Sequence, residues 1–93
     1  MTKHMELCRG RHEIPEAVDG AIFENEIADV TAVKQMEESA MQRLEGVSNL
    51  TLYVTGLTVA LISVLNACKR LGTKVTLMHF DRNTGKYYSQ EVL

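Results

Sequence analysis

The chain predicts a small α/β domain with a mixed sheet, and three observations carry that prediction. A β-branched and aromatic run, "NLTLYV" at 49–54, stops at Thr55-Gly56, and an apolar helical pattern starts at Thr58 and runs to Leu71. A further apolar run, "KVTLMHF", follows Gly72-Thr73. Finally, "DRNTG" has the composition of a hairpin connection, which makes "KYYSQEV" a returning antiparallel strand. The strand–helix–strand unit over 49–80 should be a right-handed parallel crossover. The predicted order is β-β-α-β-α-β-β, in one domain spanning 1–93, with one parallel βαβ crossover and a C-terminal hairpin.

From the N-terminus, "MELC" at 5–8 is a short strand ended by Arg9-Gly10-Arg11. The preceding "HM" at 4–5 has the form of a cloning scar that would make Met5 the natural start. "RHEIPEAVDG" is irregular, since Pro15 blocks regular pairing and Asp19-Gly20 signals a turn. "AIFENEI" at 21–27 is a second strand. Residues 29–45 form a helix capped by Asp29 or Thr31, with Val33, Met36, Ala40 and Leu44 as its apolar stripe and Gly46 at its end. The second helix, 58–71, leaves only a narrow polar stripe at Ser63, Asn66 and Arg70. A helix lying on one sheet is apolar over one face only. The sequence therefore predicts a homo-oligomer, at least a dimer, that covers it. Cover from the first helix and the "EIPEAV" segment is the alternative.

At 93 residues there is room for one modest core. No apolar run reaches the ~18 residues of a membrane span, and no signal-peptide core is visible. Cys8 and Cys68 lack metal-ligand spacing and read as reduced thiols, so the cytoplasm is the expected location (the host's, for a phage-encoded chain). The net charge of −2 hides an asymmetry between an acidic first half and a basic second half, which would favour attraction between identical subunits. Polymeric nucleic acid is not an expected partner, because no basic stripe interleaved with aromatics is present. Neither is a membrane.

In open α/β sheets, ligands collect where the parallel strands end and helix N-termini offer N–H groups to anions. That edge should carry Thr55, Gly56, Leu57 and Thr58 from the first strand end, and Phe80, Asp81, Arg82, Asn83 and Thr84 from the second. Gly56 admits a close backbone, Thr55 and Thr58 add hydroxyls, and Arg82 pairs with a phosphate. Asn83 and Asp81 contact ribose or base, and Phe80 stacks. Arg9, Arg11 and His12, around Gly10, form a second cationic cluster that would reach phosphate, across a subunit boundary if need be. Set against this, Thr58 can be a plain helix cap, Asp81 and Gly85 can serve only a turn, and Arg9 and Arg11 can pair with Glu13, Glu16 and Asp19. One glycine is far from a P-loop or dinucleotide fingerprint. With Trp absent, Phe23, Tyr53, Phe80, Tyr87 and Tyr88 are the available stacking surfaces.

No catalytic set assembles. The three histidines lack metal-ligand spacing, no serine sits in a nucleophile elbow, and Cys68 lies inside an apolar helical pattern. No catalytic residue, metal or cofactor is expected, and His79 near Asp81 is the best acid–base pair on offer.

Over "NLTLYVTGLTVALISVLNACKRLGTKVTLMHFDRNTGKYYSQEV", with "RGRHEIPEAVDGAIFEN" upstream, the chain resembles the first family of Thoeris anti-defence proteins, the signal sponges of phages and prophages. The resemblance spans most of the chain in general texture, without a diagnostic motif. It implies a small α/β oligomer that binds cyclic ADP-ribose isomers made by bacterial TIR-domain proteins. It also implies, in some members, separate sites for cyclic di- or trinucleotides made by cGAS-like enzymes. Such proteins sequester the messenger without cleaving it, which starves the immune effector of CBASS or Thoeris defence. The expected function is thus non-enzymatic binding of a cyclic nucleotide. Two alternatives stand beside it. One is a small nuclease that opens cyclic oligonucleotides with His79 or His12. The other is an interaction module that uses the apolar helix 58–71.

Overall fold

The computed structural model describes residues 1–10 and 13–93. Its elements are β1 (Thr2–Cys8), β2 (Ala21–Phe23), α1 (Val33–Leu44), β3 (Asn49–Tyr53), α2 (Thr58–Leu71), β4 (Lys74–Asp81) and β5 (Lys86–Glu91). This is the predicted order. The strands form one mixed sheet in the spatial order β2-β1-β3-β4-β5. The first four are mutually parallel and β5 returns antiparallel on β4. Besides the expected β3–α2–β4 crossover, β2–α1–β3 makes a second parallel one that steps over β1.

Both helical crossovers advance in the same direction across the sheet, so right-handed connections place both helices on one face. The two helices pack side by side, as that rule requires. The Arg70–Glu37 ion pair at 3.0 Å also ties them together. The β1-to-β2 connection runs the opposite way, and residues 13–16 from it lie with Phe80 and Tyr87 of the other face.

Register divides the strand residues by face. Met5, Leu52 and Leu77 share a row, with Leu50 and Val75 in the row before, and these meet Met36, Ala40 and Leu44 of α1 and Ala60, Val64, Ala67 and Cys68 of α2. This is the core. Glu6, Tyr53 and Met78 form a row on the opposite face, which we call the open face, and Phe80 and Tyr87 pair there one row further on.

Several boundaries depart from the sequence expectation. β1 starts at Thr2, because Thr2, Lys3 and His4 pair with Asn49, Leu50 and Thr51, and Asp19 exchanges bonds with His4. Thr2, Lys3 and His4, ahead of Met5, are thus built into the sheet. β2 is only three residues long, since the Glu24 carboxylate turns back to accept from the Ala21 N–H. α1 starts at Val33 rather than 29: the Asp29 carboxylate accepts from both the N–H and hydroxyl of Thr31, closing a local turn that competes with the helix. α2 spans the expected residues and ends at Gly72, whose φ of +73° is the left-handed stop that glycine accommodates.

The apolar circumference of α2 is only partly covered within the chain. Its buried residues are Ala60, Ser63, Val64, Ala67 and Cys68, facing sheet and α1, while Ile62 is about half exposed. "EIPEAV" gives it no cover, lying instead by the open face. No helix among the described residues is long and apolar enough to cross a membrane.

Candidate functional site

The carboxyl ends of β1, β3 and β4 meet at one edge of the sheet. There a groove of about 520 Å³ opens on the open face, lined by Gly10, Val54, Thr55, Phe80 and Tyr87 and walled by residues 13–16. Its aromatic wall is a product of hairpin register: Phe80 lies opposite Tyr87, with ring centroids 5.3 Å apart and inclined, and Tyr87 meets Tyr53 edge-on at 5.0 Å. Phe80 is about half exposed, so its ring remains available to a ligand. Tyr53 is buried below, and burial, reinforced by the charge of Glu16, pushes the phenols of Tyr53 and Tyr87 above their ordinary pKa.

Thr55 anchors the floor. Its hydroxyl donates to the Cys8 carbonyl at 2.8 Å and accepts from the Cys8 N–H at 3.1 Å, so the side chain ties β1 to β3 where the backbone ladder has ended. With its proton committed there, Thr55 shapes the groove rather than donating to a ligand. Gly56, at φ +79°, turns the chain into α2, and a Cβ there would press within 3.4 Å of the Cys8 thiol. Leu57 is the N-cap of α2 and its N–H points to Cys8, whose thiol burial nevertheless pushes up. No side chain caps α2, so Thr58 does not serve as the helix cap. The first-turn N–H groups have no partner inside the helix.

The hairpin residues lie apart from this floor. The Val54 N–H bonds to the Met78 carbonyl, and β4 continues past that point to Asp81, so Arg82 lies roughly 13 Å further along the strand direction. Asp81 is engaged in the turn, accepting from the Asn83 N–H and the Thr84 hydroxyl. Arg82 and Asn83 are exposed at the tip. His79 points to the helix side, bonded to Gln90 at 2.9 Å and tilted against Tyr88.

Of the residues singled out by sequence, Gly10, Thr55 and Phe80 come together in the groove. Gly56, Leu57 and Thr58 form the adjoining helix start, and Asp81, Arg82, Asn83 and Thr84 form the hairpin beyond. Arg9 turns elsewhere. Its guanidinium bonds to the Glu24 carboxylate, with the Nε contact at 3.0 Å, and lies 3.6 Å from Glu6, a carboxylate that is 3% exposed. The Glu24 pairing raises the Arg9 pKa, and the same pairing holds the Glu24 carboxyl below its usual range. Arg11 and His12 lie outside the described residues.

Sequence reasoning missed the wall of Ile14, Pro15, Glu13 and Glu16, because nothing local shows which face an irregular segment will cross. Tyr87 was within reach: a four-residue turn at 82–85 places it opposite Phe80. The charged side chains lining the groove are Glu13 and Glu16, among the described residues. No metal-binding cluster of His, Cys, Asp and Glu occurs among the described residues. Comparison with known protein families, with curated proteins and with solved structures finds no match for this chain.

Proposed function

We propose that this protein binds a cyclic nucleotide signal, a cyclic ADP-ribose isomer or a cyclic di- or trinucleotide, and sequesters it without cleaving it. In this reading it is a phage anti-defence sponge acting in the host cytoplasm. The observation that carries the proposal is the juxtaposition at the carboxyl edge of an aromatic groove and an uncapped helix start. Phe80 and Tyr87 offer a ring surface for a base. The Gly56–Thr58 turn offers N–H groups and a favourable dipole for a phosphate just outside the groove. Arg82 reaches the same ligand from the hairpin tip. The exposed side of α2 around Ile62 is the surface on which a second copy docks. The placement of His79 on the helix side counts against a nuclease built on that residue.

A thermal-shift panel of cyclic ADP-ribose isomers and cyclic di- and trinucleotides tests the reading, followed by chromatography of the released ligand. Saturation at a hundred times Kd adds about 2.7 kcal/mol, a shift of many degrees in a domain this small. Intact ligand supports the sponge, and a linear product makes the protein a nuclease. Silence across the panel leaves the interaction module. In a responding protein Arg82→Ala should lose about 1.5–3 kcal/mol of binding, and an unchanged Kd would remove Arg82 from the site.

A further inference from the structure

We infer that the groove selects its base by donor count, with the Glu16 carboxylate accepting two parallel N–H bonds from a guanine edge while the ring lies on Phe80 and Tyr87. The inference rests on the nucleotide reading and names the base that the groove prefers. A groove for an anionic ligand whose described charged lining is two carboxylates needs an explanation. Phosphates belong outside it, at the start of α2. What enters is then the part of a nucleotide that donates hydrogen bonds, which is the base edge.

The two carboxylates are not equivalent. The charge of Glu13 acts on Arg9, whose guanidinium is held toward Glu6 and Glu24. Glu16 lines the groove together with Phe80 and Tyr87, and its charge adds to the burial that raises the phenols of Tyr53 and Tyr87. An ionised carboxylate only accepts, and its two oxygens match two adjacent N–H donors. Guanine offers that pair at N1 and the 2-amino group. Hypoxanthine lacks the amino group, and adenine and uracil present a donor beside an acceptor. A neutral base also adds no further charge to the groove, while the apolar side chains of Ile14, Pro15 and Val54 flank the ring.

Calorimetric titration of the whole protein with cyclic di-GMP and cyclic di-IMP, which differ only in the 2-amino groups, tests this directly. The expected result is at least a tenfold tighter Kd for cyclic di-GMP. Glu16→Gln, which replaces one acceptor by a donor at an exposed position, should weaken cyclic di-GMP at least tenfold and cyclic di-IMP less than threefold. Equal affinity for the two ligands, or a preference that survives Glu16→Gln, overturns the base assignment and leaves nucleotide binding standing. Binding of cyclic ADP-ribose isomers with neither dinucleotide bound does the same. Silence toward all of these probes and toward the cyclic trinucleotides of the panel overturns the nucleotide reading itself, and the base assignment with it.

Discussion

The two faces of the sheet are made from the same strands and have opposite characters. On the helix face Met5, Leu50, Leu52, Val75 and Leu77 are almost fully buried under α1 and α2. On the open face the same strands present Glu6, Thr51, Tyr53, Thr76, Met78 and Phe80, with an irregular segment instead of a helix beside them. The first face removes apolar surface from water and supplies most of the stability. The second keeps a groove, a half-exposed ring and carboxylates. Alternating residues of one strand thus divide between holding the fold and offering a site.

If that division is right, substitutions should rank by face. Leu52→Ala empties a fully buried position on the helix face, and should cost about 2–5 kcal/mol in urea unfolding. A loss under 1 kcal/mol would show that this face is not the stabilising one. Next in size is a pH effect beneath α2. Burial pushes the Cys68 thiol from 9.0 up to about 11. Below pH 9 it is protonated in both states and has no effect. Between pH 9 and 11 the unfolded chain releases a proton that the folded chain retains, so stability falls by about 2–3 kcal/mol. In Cys68→Ala that share of the alkaline slope should vanish, leaving the part due to the raised phenols of Tyr53 and Tyr87.

Thr55→Val preserves shape but removes both bonds to Cys8, leaving a partly buried N–H and C=O unpaired. Denaturation should register about 1–3 kcal/mol. Phe80→Ala should change stability by no more than about 1 kcal/mol, since the ring is half exposed, yet weaken a stacked base by about 1–3 kcal/mol. A Phe80→Ala chain as destabilised as Leu52→Ala would remove the distinction between the faces.

Much of this was legible from residue pattern. The strand at 49–53, the helix at 58–71 and the C-terminal hairpin follow from period, glycine stops and turn composition, which act over a few residues. Boundaries shifted where a polar side chain had a nearby alternative, as Asp29 has with Thr31 and Glu24 with the Ala21 N–H. The carboxyl edge was legible as a class of place, because right-handed crossovers fix which strand ends lie together.

The composition of the edge was not. Arg9 and Glu24 are fifteen residues apart and Thr55 and Cys8 are forty-seven apart, so their pairing depends on strand order β2-β1-β3, which no local pattern encodes. The same holds for Ile14, Pro15 and Glu16: Pro15 announces an irregular segment, while the backward step from β1 to β2 sends it across the face opposite the helices. Local chemistry determined the elements and their order in this chain. Long-range packing chose which side chains those elements bring together, because contacts between distant residues are set by how the sheet is assembled.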